Sequence, residues 1–240
     1  MWPDLDGEDH EGRRPNVVIV QHYAHSAKRY AEAIPFPGVL FLVPRICPDC
    51  GAIDVLIRWG TYPRQACTGL EVYWIRVQRV RCKACKHTHS LLPDFLHPYR
   101  RYVVARMQLV VCLYLLRGMG INSITEALPG QHPDRSTVRE WITSFAHRAG
   151  DQLFDLLRRG LMNLNPLAEM PETPPPEHLD RVPDPTKRRR LANAHRFWQL
   201  AELLYAETKA RVPRLHFSGD QLLPFVLHWL QTEGVPPRLF

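Results

Sequence analysis

Two short cysteine pairs, Cys47-Pro-Asp-Cys50 and Cys82-Lys-Ala-Cys85, stand 31 residues apart and limit this chain more than any other feature. One C-x2-C pair also suits a thioredoxin-like redox site, but that needs a surrounding βαβ pattern, which the flanking sequence lacks. Two pairs make a tetrahedral four-thiolate zinc site the simplest reading. The chain between them must then double back. The gap is longer than the common spacing of about 15–20 residues, and two or three strands with a turn around Thr61–Gly69 would fill it. Gly51 follows the first pair, where a left-handed backbone is often required. Lys86 holds the equivalent place after the second pair. A left-handed lysine costs about 1–2 kcal/mol, small beside the ~10–16 kcal/mol of structural zinc binding in finger peptides.

The other metal-binding residue types fall away from this set. Cys112 lies in an apolar helical run and reads as core. Cys67 falls in the expected turn and is not assigned as a ligand. His87 and His89 are close to the second pair, but four cysteines fill a tetrahedral site. The histidines are therefore expected behind the ligands, at a phosphate, or in solvent.

Periodicity sets the remaining elements. Asn16–Gln21 reads as a short strand, Ser26–Ala33 as a short helix and Gly38–Pro44 as an extended lead-in to the first pair. Ile53, Val55, Ile57 and Trp59 alternate with polar residues as a strand would. Glu71–Arg81 is a second strand, with Tyr73, Ile75 and Val77 on one face. Its phase slips at Gln78–Arg79, where a bulge would restore a single buried face. From Tyr102 the pattern is helical: Tyr102–Arg117, Asn122–Leu128 and Thr137–Arg148, then Asp151–Met162. Thr137-Val-Arg-Glu140 has the form of a capping box. Val138, Trp141, Ile142 and Phe145 make one apolar stripe. Residues 165–190 hold seven prolines and end in Lys187-Arg-Arg-Arg190, as a linker would. Ala192–Lys209 and Leu222–Leu230 read as helices.

The 240 residues carry a net charge of +7 with 22 prolines, about twice the usual proline frequency. The first residues are acidic where a signal peptide needs a basic start. The most apolar segment, Val103–Leu116, is shorter than the roughly 20 residues of a membrane span. A cytoplasmic protein with reduced cysteines is expected, with no membrane and no small-molecule substrate as partner. The basic charge favours an acidic partner such as nucleic acid. It concentrates at Arg76, Arg79, Arg81, Lys83, Lys86, Arg100, Arg101 and Arg106, with aromatic residues among them, which suits phosphate neutralisation. The short helix and the capped helix resemble a helix-turn-helix layout, although their connection is longer than the usual 3–4 residues. On that reading Arg135, Ser136, Arg139 and Thr143 project outward to touch DNA, with Arg139 able to read guanine.

The segments CPDCG, IRWGTYPR and RVRCKACKHTHSLLPDFLHPYRRY resemble the zinc ribbons associated with bacterial transposases. They are most similar to an uncharacterised actinobacterial zinc-ribbon family with the pattern CPxCG…RCxxC…SLLPxFLxPYRRY. The resemblance covers about residues 16–148. It implies zinc binding and, by analogy with transposase ribbons, DNA binding.

Together these readings predict an α+β chain: a small N-terminal β-rich zinc ribbon, an all-α helix-turn-helix-like bundle and a C-terminal helical segment. The expected divisions are a disordered 1–14, a ribbon at 15–100, a bundle at 101–164, a basic linker at 165–190 and helices at 191–240. One structural zinc is expected on Cys47, Cys50, Cys82 and Cys85. The acids after the bundle, such as Asp180, Asp184, Glu202 and Asp220, sit in no alternating βα pattern, and a four-thiolate zinc leaves no open position for water. A non-enzymatic DNA-binding protein, transposon-associated or regulatory, is therefore expected. The alternative is a protein–protein adaptor that docks through Trp198, Leu203, Leu204, Phe225 and Trp229.

Overall fold

The computed structural model describes residues 18–23, 26–33, 41–130, 133–171, 174–218 and 221–240. The expectations for residues 1–14, for Asn16–Val17, for the start of the Gly38–Pro44 lead-in and for Asp220 lie outside them. The described chain is α+β. Its strands are β1 (Val18–Gln21), β2 (Leu56–Cys67), β3 (Val72–Cys82) and β4 (Thr88–Pro93), in the spatial order β1-β4-β3-β2. β2, β3 and β4 form an antiparallel meander, and β1 adds parallel to β4. Helix α1 (Ala27–Glu32), N-capped by Ser26, packs on β3.

β2 departs from the sequence reading. Of the expected inward set, Ile53 and Trp59 are exposed and Val55 and Ile57 half-buried, and Leu56, of the opposite phase, is the buried residue. The strand continues through the expected turn to Cys67. Pro63 is tolerated because β2 lies at a sheet edge, where a missing N–H breaks no ladder on the open side. The turn is instead Thr68–Glu71, closed by the Thr68 N–H to the Glu71 carbonyl at 3.0 Å. The bulge sits on the partner strand rather than at Gln78–Arg79. Arg58 pairs with Val80 and Thr61 with Gln78, so Trp59 and Gly60 together face Arg79. Gly60, with φ +89°, supplies the left-handed residue such a bulge uses.

Cys67 is therefore the buried end of β2. Its N–H donates to the Arg101 carbonyl at 2.8 Å, and its carbonyl accepts the Val103 N–H at 3.0 Å. Burial pushes this thiol up. Cys112 is half-buried against the helical core.

The helices are α2 (Val104–Leu115), α3 (Ile121–Ala127), α4 (Arg135–His147), α5 (Phe154–Leu164), α6 (Pro185–Arg211) and α7 (Leu222–Thr232). A six-residue π segment, Arg148–Leu153, carries α4 into α5 without a break. The α4 cap is Asp134, whose carboxylate accepts the Thr137 N–H at 2.7 Å. Thr137 is thus inside the first turn and is not the cap. Glu140, the other half of the expected box, pairs with Arg100 instead. The expected linker also ends in helix. α6 starts at Pro185 with Asp184 as its cap, so Lys187–Arg190 are helical, Arg190 pairs with Asp151, and Arg188 donates to the Val182 carbonyl.

Two cores meet at the Tyr102–Val104 segment, where Val103 faces one and Tyr102 and Val104 the other. One lies in the sheet around Ile75, Val77, Val80 and Leu91, and includes Cys47 and Cys82. The other joins α2–α5 to α6, α7 and the chain end at Leu239–Phe240. Trp198, Leu204 and Phe225 belong to this second core, with Leu203 and Trp229 packed against it. The apolar set offered as an adaptor surface is thus largely interior.

Three polar anchors bring the C-terminal segment back onto earlier elements. The Gln231 amide in α7 pairs with both backbone groups of Val20 in β1. Gln108 in α2 accepts the Leu223 N–H at 2.9 Å. His97, 1% exposed, accepts the N–H groups of Leu239 and Phe240 on Nε2 at 2.9 and 3.3 Å, with Nδ1 facing the Pro98 carbonyl at 2.8 Å.

Burial holds His97 down at about 3, against the pull of the Pro98 carbonyl and with Arg100, Arg64 and Arg238 adding to the depression. The ring is neutral when folded and takes a proton near pH 6.5 when unfolded. Its contribution to stability is complete above about pH 6.5 and is lost as pH falls from there towards 3. Burial lowers His195 and His228 in the same sense. Thermal unfolding followed from pH 7.5 to 4 is expected to show a falling midpoint, and His97→Ala to give a shallower slope from a lower start. A midpoint independent of pH across this range would contradict the clamp.

Candidate metal centre

Each cysteine pair forms the same backbone loop. The Gly51 N–H donates to the Cys47 carbonyl at 2.9 Å, and the Lys86 N–H to the Cys82 carbonyl at 3.0 Å. The Cys47 N–H donates to the Ala52 carbonyl and the Cys82 N–H to the His87 carbonyl, both at 2.9 Å. To close this way, the residue after the second cysteine must be left-handed. Gly51 has φ +70° and Lys86 has φ +65°, so the lysine carries the strain its position implies. The Lys83 N–H donates to the Val55 carbonyl at 2.9 Å and ties the second loop to the chain that leaves the first.

The loops face one another. The Cys47 and Cys85 sulfurs are 3.8 Å apart and those of Cys50 and Cys82 3.7 Å apart. All four lie within 4.8 Å of one another. Burial pushes the Cys47 thiol up to about 12, whereas at Cys82 the backbone N–H of Cys85, 3.4 Å from its sulfur, helps outweigh burial and draws the thiol down to about 7. Four thiolates this close repel one another, and a cation among them removes that cost. The cluster can therefore hold one metal ion, with all four expected ligands brought together.

The two histidines are placed differently: His87 is half-exposed and forms a second close group with Asp49 and Cys85, whereas His89 lies behind the sulfurs. His87 pairs through Nδ1 with Asp49, which sits inside the first loop, so a side-chain contact joins the two loops around the cluster. His89 is fully buried, with Nε2 3.5 Å from the Cys47 sulfur. Asp49 had no assigned role from the sequence; its place between Cys47 and Cys50, opposite His87, was the available signal.

The basic residues are placed less uniformly. Arg76, Lys83, Lys86, Arg101, Arg135, Arg139 and Thr143 are exposed, as is Ser136, whose hydroxyl donates to the capping Asp134 at 2.6 Å. Arg79, Arg81 and Arg100 are half-buried. Arg81 lies 4.5 Å over the Trp59 ring and donates to the Lys86 carbonyl, bracing the second loop. Arg106 does not belong to the basic surface. It is 5% exposed and donates to the Pro129 carbonyl at 2.8 Å, holding α2 against the end of α3.

No helix among the described residues is long and apolar enough to cross a membrane. Residues 47–141 match a family described as a domain of unknown function (DUF6431). The match runs from the first metal-centre cysteine to Trp141 in α4. It is to an uncharacterised family and carries no function with it. No curated protein and no solved structure matches the chain.

Elemental analysis of the purified chain is expected to find one metal ion per molecule, and Cys50→Ser or Cys85→Ser to reduce it several-fold. Lys86→Gly is expected to raise stability by about 1 kcal/mol in denaturant unfolding, because left-handed strain is relieved while glycine adds unfolded-state entropy. A destabilised Lys86→Gly variant would contradict this account of the loop.

Proposed function

We propose that this chain is a non-catalytic zinc-ribbon protein that binds DNA. For the metal, the supporting geometry is the sulfur spacing. Zinc–thiolate bonds of about 2.3 Å in a tetrahedron place sulfurs about 3.8 Å apart, against 3.7 and 3.8 Å across the two cysteine contacts. Zinc bound by four thiolates has no open coordination site and acts as a structural ion. It locks the β2–β3–β4 meander, which carries Arg79 and Arg81, to the loop that carries Cys47 and Cys50.

For DNA, the observation that carries the reading is the orientation of α4. Val138, Trp141, Ile142 and Phe145 are buried, and Arg135, Arg139 and Thr143 recur every four residues on the exposed side. Glu140, the acid on that side, is neutralised by Arg100. α4 packs against both α2 and α3, in keeping with a helix-turn-helix-like arrangement in which the N-terminal part of α4 meets the major groove. Arg76, Lys83, Lys86 and Arg101 supply exposed positive charge for the phosphate backbone. The resemblance to transposase-associated ribbons favours a mobile-element or regulatory setting.

Zinc is expected as the metal found, and its removal by chelation is expected to unfold the ribbon. Binding to mixed-sequence duplex is expected to weaken steeply between 50 and 200 mM salt, on the order of the loss seen for proteins with several phosphate contacts. Arg76→Ala and Lys83→Ala are expected to weaken all sequences alike. Arg139→Ala is expected to relax preference at one base position by about 1–3 kcal/mol. Absence of any duplex binding at low salt removes the DNA reading and leaves the zinc reading standing.

A further inference from the structure

The basic residues of the sheet do not all lie on an open surface. Val18, Ser90 and Arg79 stand in one row across β1, β4 and β3, and a cavity of about 480 Å³ opens beside them. Tyr62 and Arg64 of β2 line it from one side, and Tyr99, Arg100 and Arg101 from the segment before α2. No acidic side chain is among its described lining residues.

The four arginines have different duties. Arg64 donates from Nη2 to the carbonyls of His97 and Arg100, which fixes the segment forming the wall. Arg100 is shared with Glu140. Arg79 and Arg101 have no acidic partner among the described residues; the Arg101 guanidinium lies 5.2 Å from the Tyr102 ring. The left-handed Tyr99, with φ +64°, turns the chain so that Arg100 and Arg101 reach the cavity. Arg238 from the C-terminal segment lies 5.1 Å over the Tyr99 ring and adds further positive charge. This convergence of charge is held by the fold and asks for an anion.

We propose that the cavity binds a phosphate monoester, either a free nucleotide or the 5′-phosphorylated end of a nucleic-acid strand. Arginine forks pair with two phosphate oxygens at once, and the dianionic monoester offers three terminal oxygens to Arg79, Arg101 and the Ser90 and Tyr62 hydroxyls. The volume is in the usual range for a small ligand, about 300–1,000 Å³. The cleft is open to solvent, and a terminal monoester offers its converging arginines one more oxygen and more charge than an internal phosphodiester does. The strand-end ligand rests on the nucleic-acid reading above; the free-nucleotide ligand does not.

The test uses the full, zinc-loaded chain at low salt. Calorimetry compares inorganic phosphate, a nucleoside 5′-monophosphate and the same nucleoside; anisotropy compares duplexes that differ only in a 5′-phosphate or a 5′-hydroxyl. Saturable binding of the monophosphate is expected, with the nucleoside weaker by about tenfold or more. Arg79→Ala and Arg101→Ala are each expected to weaken it about tenfold. Arg79→Lys, which keeps the charge but loses the fork, should fall between them and the parent, and the distant Arg158→Ala should match the parent. A monophosphate that binds while no duplex does supports the site and removes the DNA reading. Duplexes bound equally with either end, with no binding of monophosphate or phosphate, overturn the site and leave the DNA reading. Monophosphate binding unchanged by both arginine substitutions also overturns it.

Discussion

Four cysteine sulfurs brought within 4.8 Å of one another are the constraint on which this end of the sheet depends. Their loops sit at the ends of the structure that must be closed. One precedes β2, and the other turns β3 into β4. Cys47 and Cys82 also belong to the sheet core, so a cation at the cluster would tie packing and coordination into one unit. The contacts around the sulfurs serve the same end. Asp49 and His87 join the loops across the cluster, and the Lys83 N–H joins them through Val55.

The helical half is held differently, by apolar packing with a few polar anchors at its borders. Gln231 borrows the backbone groups of Val20, Gln108 holds the start of α7, and His97 receives the chain end. Each is a buried or half-buried polar contact whose loss would strand a partner, at a cost of about 1–3 kcal/mol. Through them the C-terminal helices become part of the same molecule as the sheet. Arg64 connects these anchors to the basic cavity, because it holds the His97–Arg100 segment that both share.

Much of the candidate site could be read from local spacing. The two C-x2-C pairs, the demand for left-handed backbone at Gly51 and Lys86 and the inward stripe of α4 are all set within a few residues, and the structure contains each of them. The bulge was legible only as a slip in phase on β3; its extra residue lies on β2, where Gly60 can accept it. The capping box at Thr137 was locally persuasive, but Asp134 precedes it and caps more directly, which freed Glu140 for Arg100. Cys67 and Arg106 were misplaced for one reason. A cysteine near a turn and an arginine in a basic run look exposed until distant segments cover them.

The sequence by itself determined the two cysteine pairs that form the cluster and the burial face of α4, because these follow from chemical type and short-range periodicity; it did not show β4, whose run Thr88–Pro93 reads locally as a hand-over between segments. Tertiary structure alone decided which basic residues remain available. Arg106 was spent on the Pro129 carbonyl, Arg81 on Trp59 and Arg100 on Glu140, while Arg79 and Arg101 were left around a cavity with no acidic partner among the described residues. A guanidinium's role depends on what lies within a few ångströms of it. Those neighbours are residues far apart in the chain, which only the fold brings together.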